Sequence, residues 1–401
     1  MKKIALFIII FTLVLCSSYA DELFPDEEIR LKDRSFELGF NVNGLFFNNL
    51  ISVQNLLQEL VVIDLDNLSN GLNIYTGIGI TPFYMNIRGK KGGGWGLSFN
   101  VNAYGSFGLS KKLLSFSEAN DNKSDAGFAV FADASMDFIF KIEHFKIKLR
   151  PSVFLPAVYA EPEILYTFDV AATTLSLKYD AKVYTPINID NMDLDLKSIT
   201  AASGIDISIG VEYPLARAIG LFKKFALFDF DVGIDILHIP VVASTMNHYM
   251  SMTGDISLEG DTIEDFFDID TGNISPSFSY ERDEKGKLVK RPFRSILWAD
   301  WRLFGSHFFT ISPHIGFSIN PLYLEPFSLE YGLQVKLDLA NFIVISAGTR
   351  YEDRFWKTGV GLALNLMIVE LNVGAVLSSA EFFNVLDTSG LGIHVGFRIG
   401  F

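Results

Sequence analysis

The chain has 401 residues, 33 Lys+Arg against 47 Asp+Glu, a formal net charge of -14, 49% hydrophobic residues and 20% charged ones. That apolar fraction excludes a disordered chain, and the acidic balance excludes a nucleic-acid partner, whose phosphates require a surface rich in Lys and Arg. The one cysteine, Cys16, excludes a disulfide framework and a Cys-based zinc site.

The first twenty residues have the form of a secretory signal peptide. Lys2 and Lys3 precede an apolar run from Ile4 to Leu15, and Ser18-Tyr19-Ala20 places small residues before Asp21. Leu15 is too large for the residue that precedes a lipidated cysteine, and the run is shorter than the roughly 20 residues of a membrane-spanning helix. Cleavage after Ala20 removes two lysines and no acid, so the exported chain is still more acidic and has no cysteine.

From residue 36 onward the chain reads with period two, the repeat of a strand whose side chains alternate between two faces. Strands are expected near 36–46, 72–88, 94–106, 127–141, 145–157, 163–171, 174–185, 203–213, 225–238, 293–304, 308–319, 327–339, 342–351, 355–366, 368–378 and 390–401. Between the first two, residues 48–66 carry Leu56, Leu57, Leu60 and Val61 at largely helical spacing, which predicts a short apolar helix in the first long connection. Such a helix could cap a barrel or form a hydrophobic docking site.

Farther along, Phe145, Ile147 and Leu149 alternate with Lys146, Lys148 and Arg150. With Lys178 and Lys182, these basic residues put positive charge on one part of an inner wall. Asp206, Glu212, Asp229, Asp231 and Asp235 put negative charge on the next strands. Two readings stand side by side: a transverse field acting on solutes, or charge pairing between neighbouring strands that fills the lumen. The acidic segment 239–292 reads as a long loop, either on the surface or folded into the lumen as a constriction. The later strands keep the pattern, down to Leu391, Ile393, Val395, Phe397, Ile399 and Phe401 against Gly392, His394, Gly396, Arg398 and Gly400.

Runs of ten or more alternating residues exceed the usual soluble strand of about five or six. They match the roughly 9–11 residues with which a tilted strand crosses a bilayer. A soluble β-sandwich also alternates, but it does not need a polar face on nearly every long strand. Backbone groups in lipid must all be paired, so amphipathic strands there close into a barrel. The expected fold is therefore all-β, an antiparallel up-and-down transmembrane barrel of about 14–16 strands over 36–401. Its short and long connections alternate for much of the chain. Phe36, Trp95, Trp298, Trp301, Trp356 and Phe401 are candidate interface anchors, with an inward-facing alternative for Trp298.

A leading signal peptide, alternating strands throughout and a terminal Phe401 resemble bacterial outer-membrane β-barrel proteins, porins among them. The resemblance implies residence in the outer membrane of a diderm bacterium and a lipid bilayer as partner. It also implies that Ile393, Val395, Phe397, Ile399 and Phe401 serve as the signal read by the barrel-assembly machinery. There is a weaker resemblance to the long-chain fatty acid transporters, which implies fourteen strands, an outside hydrophobic groove and an N-terminal plug. Residues 21–35 are the segment that would form the plug.

Nothing in the sequence points to catalysis, a cofactor or a metal. Gly92-Gly93-Gly94-Trp95-Gly96 joins two strands with no helix to complete a phosphate cradle. Asp265, Asp268 and Asp270 before Gly272 do not match calcium-loop spacing. Ser312 and His314 lie two apart on one strand, roughly 7 Å from each other, too far for a catalytic pair in most rotamers. The function expected is passive diffusion of small solutes through a charged lumen. The alternatives are transport of hydrophobic ligands, or a closed barrel whose loops bind ligands. The sequence leaves oligomeric state open.

Overall fold

The computed structural model describes residues 34–48, 72–89, 93–109, 122–125, 127–160, 163–166, 174–186, 196–218, 229–259, 277–303, 308–322, 326–353, 355–379, 382 and 390–401. The signal peptide, most of the 21–35 segment, the 48–66 helix with its docking residues Leu56, Leu57, Leu60 and Val61, and the Asp265–Asp270 acids lie outside the described residues, Asn48 excepted.

The strands in chain order are β1 (Phe36–Asn48), β2 (Leu72–Arg88), β3 (Gly94–Leu109), β4 (Asn122–Asp125), β5 (Phe128–Ile142), β6 (Phe145–Ala160), β7 (Glu163–Tyr166), β8 (Thr174–Thr185), β9 (Gly204–Tyr213), β10 (Asp229–Val242), β11 (Ser244–Glu259), β12 (Ser277–Val289), β13 (Phe293–Arg302), β14 (Phe309–Ile319), β15 (Phe327–Leu339), β16 (Ile343–Glu352), β17 (Phe355–Leu366), β18 (Val369–Ser379) and β19 (Gly390–Gly400). Two short helices, α1 (Leu196–Ala201) and α2 (Leu215–Ala218), flank β9.

Fourteen of these strands close an antiparallel barrel. The ring runs β1, β2, β3, β5, β6, β9, β10, β13, β14, β15, β16, β17, β18 and β19, and β19 pairs with β1 from Glu37↔Gly400 to Phe47↔Gly390. All sheet edges within the ring are thereby paired, which is the condition for strands in lipid. At the seam, Ser35 N donates to Phe401 O at 2.7 Å, and Phe401 N to Phe36 O at 3.1 Å. The end holding these residues is the near end; the opposite one is the far end.

Two expectations from the sequence are corrected here. The stretches 163–171 and 174–185 are not barrel staves: β7 pairs with β4, and β8 pairs with β11 along Thr185–Thr174. They belong to a sheet that extends beyond the far end. Segment 239–292 is not simply a loop either. Its β11 and β12 continue β10 and β13 as a long hairpin past the barrel rim. Alternation alone does not say where a sheet leaves the membrane, because the extension is as regular as the wall it prolongs.

The outer surface explains the alternation. Phe40, Val42, Phe99, Val101, Ile315, Leu329, Leu333, Val360, Val373, Ile393 and Val395 all point outward and are exposed. A continuous apolar surface of this kind is stable only against lipid. Ile393, Val395, Phe397, Ile399 and Phe401 lie on this outer face, with the Phe397 ring 5.6 Å from Phe40 and Phe401 5.5 Å from Phe36. Trp95 and Trp301 are exposed on the same surface, and Trp356 packs 5.5 Å from both Tyr331 and Tyr351. Trp298 is the exception among the anchors: it faces inward.

Candidate functional site

The barrel interior is the site, and its two halves differ. Toward the far end it is apolar and packed. Leu45 and Phe47 on β1, Tyr75 on β2, Phe355 on β17 and Val376 on β18 meet inside, with the Phe47 and Phe355 rings 3.7 Å apart between centroids. On the facing side Tyr104, Phe131 and Phe154 pack edge to face at 5.8 and 6.1 Å. Leu322, from the β14–β15 connection, reaches across to this cluster. Ser106 Oγ donates to Leu322 O at 3.3 Å, and Leu322 O occupies the space that a Cβ on Gly127 would need. Asn320 holds the turn by accepting from Leu322 N at 3.1 Å through its side chain.

Beside the apolar cluster, at the same levels of the wall, lie buried ions: Glu352 is the cross-strand partner of Phe355, and Asp133 of Phe154. Glu352 receives Arg294 at 3.1 Å, Arg350 at 2.6 Å and Lys357 at 3.1 Å, while Arg294 also binds Glu330 at 2.5 Å. Lys357 reaches Asp353 at 3.1 Å and lies 5.8 Å from the Tyr75 ring centre. A second node is Arg291, just before β13, which grips Asp206 at 2.6 Å and Asp133 at 2.8 Å. Asp353 sits in the β16–β17 turn outside the spanning strands. Burial pushes its carboxyl up to about 6, against an opposing pull from Lys357.

Toward the near end the interior opens into a polar cavity of about 720 Å³. Asn41, Asn86, Asn100 and Asn102 line one side, and Lys148, Arg150, Asp235 and Arg302 the other. The charges are paired with neighbours: Lys146 with Glu212 on the adjoining strand at 3.1 Å, Arg150 with Asp137, and Arg302 with Asp231. Asp229 lies buried 3.7 Å from Arg302. Cross-strand ion pairs are thus present among these charges. Lys178 and Lys182 are not on this wall. Both lie on β8 in the extension, where Lys182 sits 5.7 Å from the Tyr249 ring centre. In the same sheet Tyr249 donates to Glu281 at 2.5 Å and holds that exposed carboxyl below its ordinary range.

Sequence reasoning missed the two ion nodes. Arg350 and Glu352 alternate on a polar face with Ser346 and Gly348, so their inward aim was readable. Arg291 was not, because it falls inside what looked like one long loop. Ser312 and His314 are lumen residues as expected, and Ser312 Oγ donates to Asp300 at 2.5 Å. Among the described residues no cluster of His, Cys, Asp and Glu is arranged to hold a metal.

A closed antiparallel barrel with an apolar exterior has the architecture of outer-membrane β-barrel proteins, and outer-membrane channels are among the solved structures it matches. The TodX deltaS2S3 mutant, a monoaromatic hydrocarbon channel, aligns over 96% of this chain and 95% of its own at 9% identity and a TM-score of 0.51. The Ralstonia pickettii toluene transporter TbuX aligns over 92% and 90% at 8% identity and a TM-score of 0.50. A Pseudomonas aeruginosa FadL homologue aligns over 90% and 89% at 7% identity and a TM-score of 0.45. At such identities the likeness is one of fold. No family model matches the chain, and no curated protein matches its sequence.

Proposed function

We propose that this chain is an outer-membrane transporter of small hydrophobic compounds, exported by its signal peptide and inserted by the barrel-assembly machinery, with no catalytic role. The observation that carries the reading is the far half of the interior, where Leu45, Phe47, Tyr75, Phe355 and Leu322 are packed together. A water-filled diffusion pore needs a wetted path from end to end, whereas an apolar entry favours solutes that shed water readily. The fold shared with a hydrocarbon channel and a toluene transporter, over more than 90% of the chain, supports the same class of cargo. This replaces passive diffusion of polar solutes as the leading reading.

Passive diffusion keeps one observation in its favour, the polar cavity near the termini. Planar-bilayer conductance of the purified protein separates the two. The hydrophobic-transport reading expects no steady ion conductance; discrete, long-lived steps from a folded barrel would restore the diffusion pore.

A further inference from the structure

The turn that joins β17 to β18 at the near end has Met367 and Ile368 at its tip, and it is built unlike a turn that stands in water. Met367 is 84% exposed and holds a φ of 70°. With Ile368 N donating to Leu366 O at 3.0 Å it forms a γ-turn of positive φ, a rare and strained conformation. The β5–β6 and β15–β16 turns at the same end put polar residues at their left-handed positions, Glu143 in one and Asn341 in the other, and exposed His144 follows Glu143. The β17–β18 turn places a methionine there instead.

The side chains around the tip are apolar as well. Leu366 and Ile368 are exposed on either side of Met367. Exposed Phe342 adjoins them, its carbonyl accepting from Asn365 N at 2.9 Å. Exposed Phe401 adjoins them on the other side, where Gly400 N donates to Ile368 O at 2.9 Å. From here the patch runs on into Leu371 and Ile399 of the lipid-facing wall.

The backbone of the tip needs nothing from water. Met367 N donates to Asn365 Oδ1 at 3.1 Å, and Met367 O accepts from Arg34 Nη2 at 3.2 Å. Ile368 N is bonded to Leu366 O, and Ile368 O to Gly400 N. Arg34 is buried, and it also donates to the same Asn365 oxygen at 3.2 Å. All four backbone N–H and C=O groups of the tip are thus satisfied by the chain itself. A turn in water has no such need, whereas in hydrocarbon an unpaired backbone group finds no other partner.

We propose that the β17–β18 turn is immersed in the acyl chains of the membrane leaflet at the near end. Arg34 and Asn365 are its positioning residues, supplying the hydrogen bonds that water gives to other turns. The occupant of the patch is lipid because the patch is continuous with the wall that already faces lipid. The β5–β6 turn, with Glu143 and His144, stands in water at the same end. The inference does not depend on what the barrel carries.

The test uses the full chain with Cys16→Ser and a single new cysteine, by Met367→Cys, Glu143→Cys or Val373→Cys. Each is labelled with a nitrobenzoxadiazole fluorophore and reconstituted in phosphatidylcholine vesicles, with folding checked by heat-modifiable mobility and iodide present on both sides of the membrane. The label at position 367 should emit toward the blue, be quenched by nitroxide-bearing acyl chains, and be quenched by iodide severalfold less than the label at position 143. Arg34→Met should bring the label at position 367 within reach of iodide and leave the label at position 373, on the exposed outer face of β18, as shielded as before. If Arg34→Met does not fold, the comparison of positions 367 and 143 in the otherwise unchanged chain decides. Iodide quenching at position 367 equal to that at position 143 would overturn the proposal. So would shielding that disappears as the protein is diluted in lipid, which would make the patch a contact between copies of the chain. An Arg34→Met barrel whose label at position 367 stays shielded would overturn the part given to Arg34.

Discussion

Leu322 and Gly127 belong to opposite walls of the barrel, yet the carbonyl of the first fills the place where a side chain on the second would be. Leu322 therefore reaches across the far mouth, and the absence of a Cβ at residue 127 is what lets it settle there. Gly127→Leu should push the connection away and unpack Leu322 from the apolar cluster. The expected outcome is ion conductance steps in planar bilayers from the variant and none from the wild type, with both running as folded barrels on unheated gels.

Arg291 should be a stability residue. It is buried between Asp133 and Asp206, so Arg291→Met leaves two carboxylates in the interior without their cation. Breaking a buried pair by removing one partner costs about 3–5 kcal/mol. A fall of that order is expected in urea unfolding from lipid, and Asp206→Asn in the Arg291→Met background should recover part of it.

Glu352 is the centre of the other node. Glu352→Gln strands part of the charge of Arg294, Arg350 and Lys357 and should destabilise by a similar 3–5 kcal/mol. Glu330→Gln, which removes an acid bonded to Arg294 alone, should cost less. The comparison is made by unfolding midpoint under identical lipid and salt.

The pH response of these buried ions has a definite sign. Asp353 is held up to about 6, above its ordinary value, so the folded barrel takes up its proton more readily than the unfolded chain does. The burial penalty on its charged form is present above that pKa and is relieved as pH falls through 6 toward 4. The wild-type unfolding midpoint should rise between pH 7 and pH 5, and Asp353→Asn should flatten that rise.

The wall of the barrel was legible because each stave must show lipid one face and the lumen the other. Phe145–Leu149 against Lys146–Arg150, and Ile393–Phe401 against His394–Arg398, carry that demand in every second residue. The count was less legible, since 163–171 and 174–185 alternate like staves although β7 and β8 pair beyond the rim. Lumen orientation followed from the same parity for Asp231 and Asp235. The ion nodes were hidden because they join residues distant in sequence, such as Arg291 with Asp133 and Arg294 with Glu352. The place of the Trp298 ring was hidden for a related reason. A glycine reads as a small lumen residue, and only the register of β10 with β13 places Gly233 beneath Trp298.

The central claim is that the barrel carries hydrophobic cargo through an apolar far end. It is tested most directly by comparing entry of labelled toluene and labelled arabinose into cells that make the protein in an otherwise low-permeability outer membrane. The account predicts faster entry of toluene than in cells lacking the protein, and arabinose entry unchanged. Faster arabinose entry with toluene unchanged would contradict it and return the barrel to the diffusion pores.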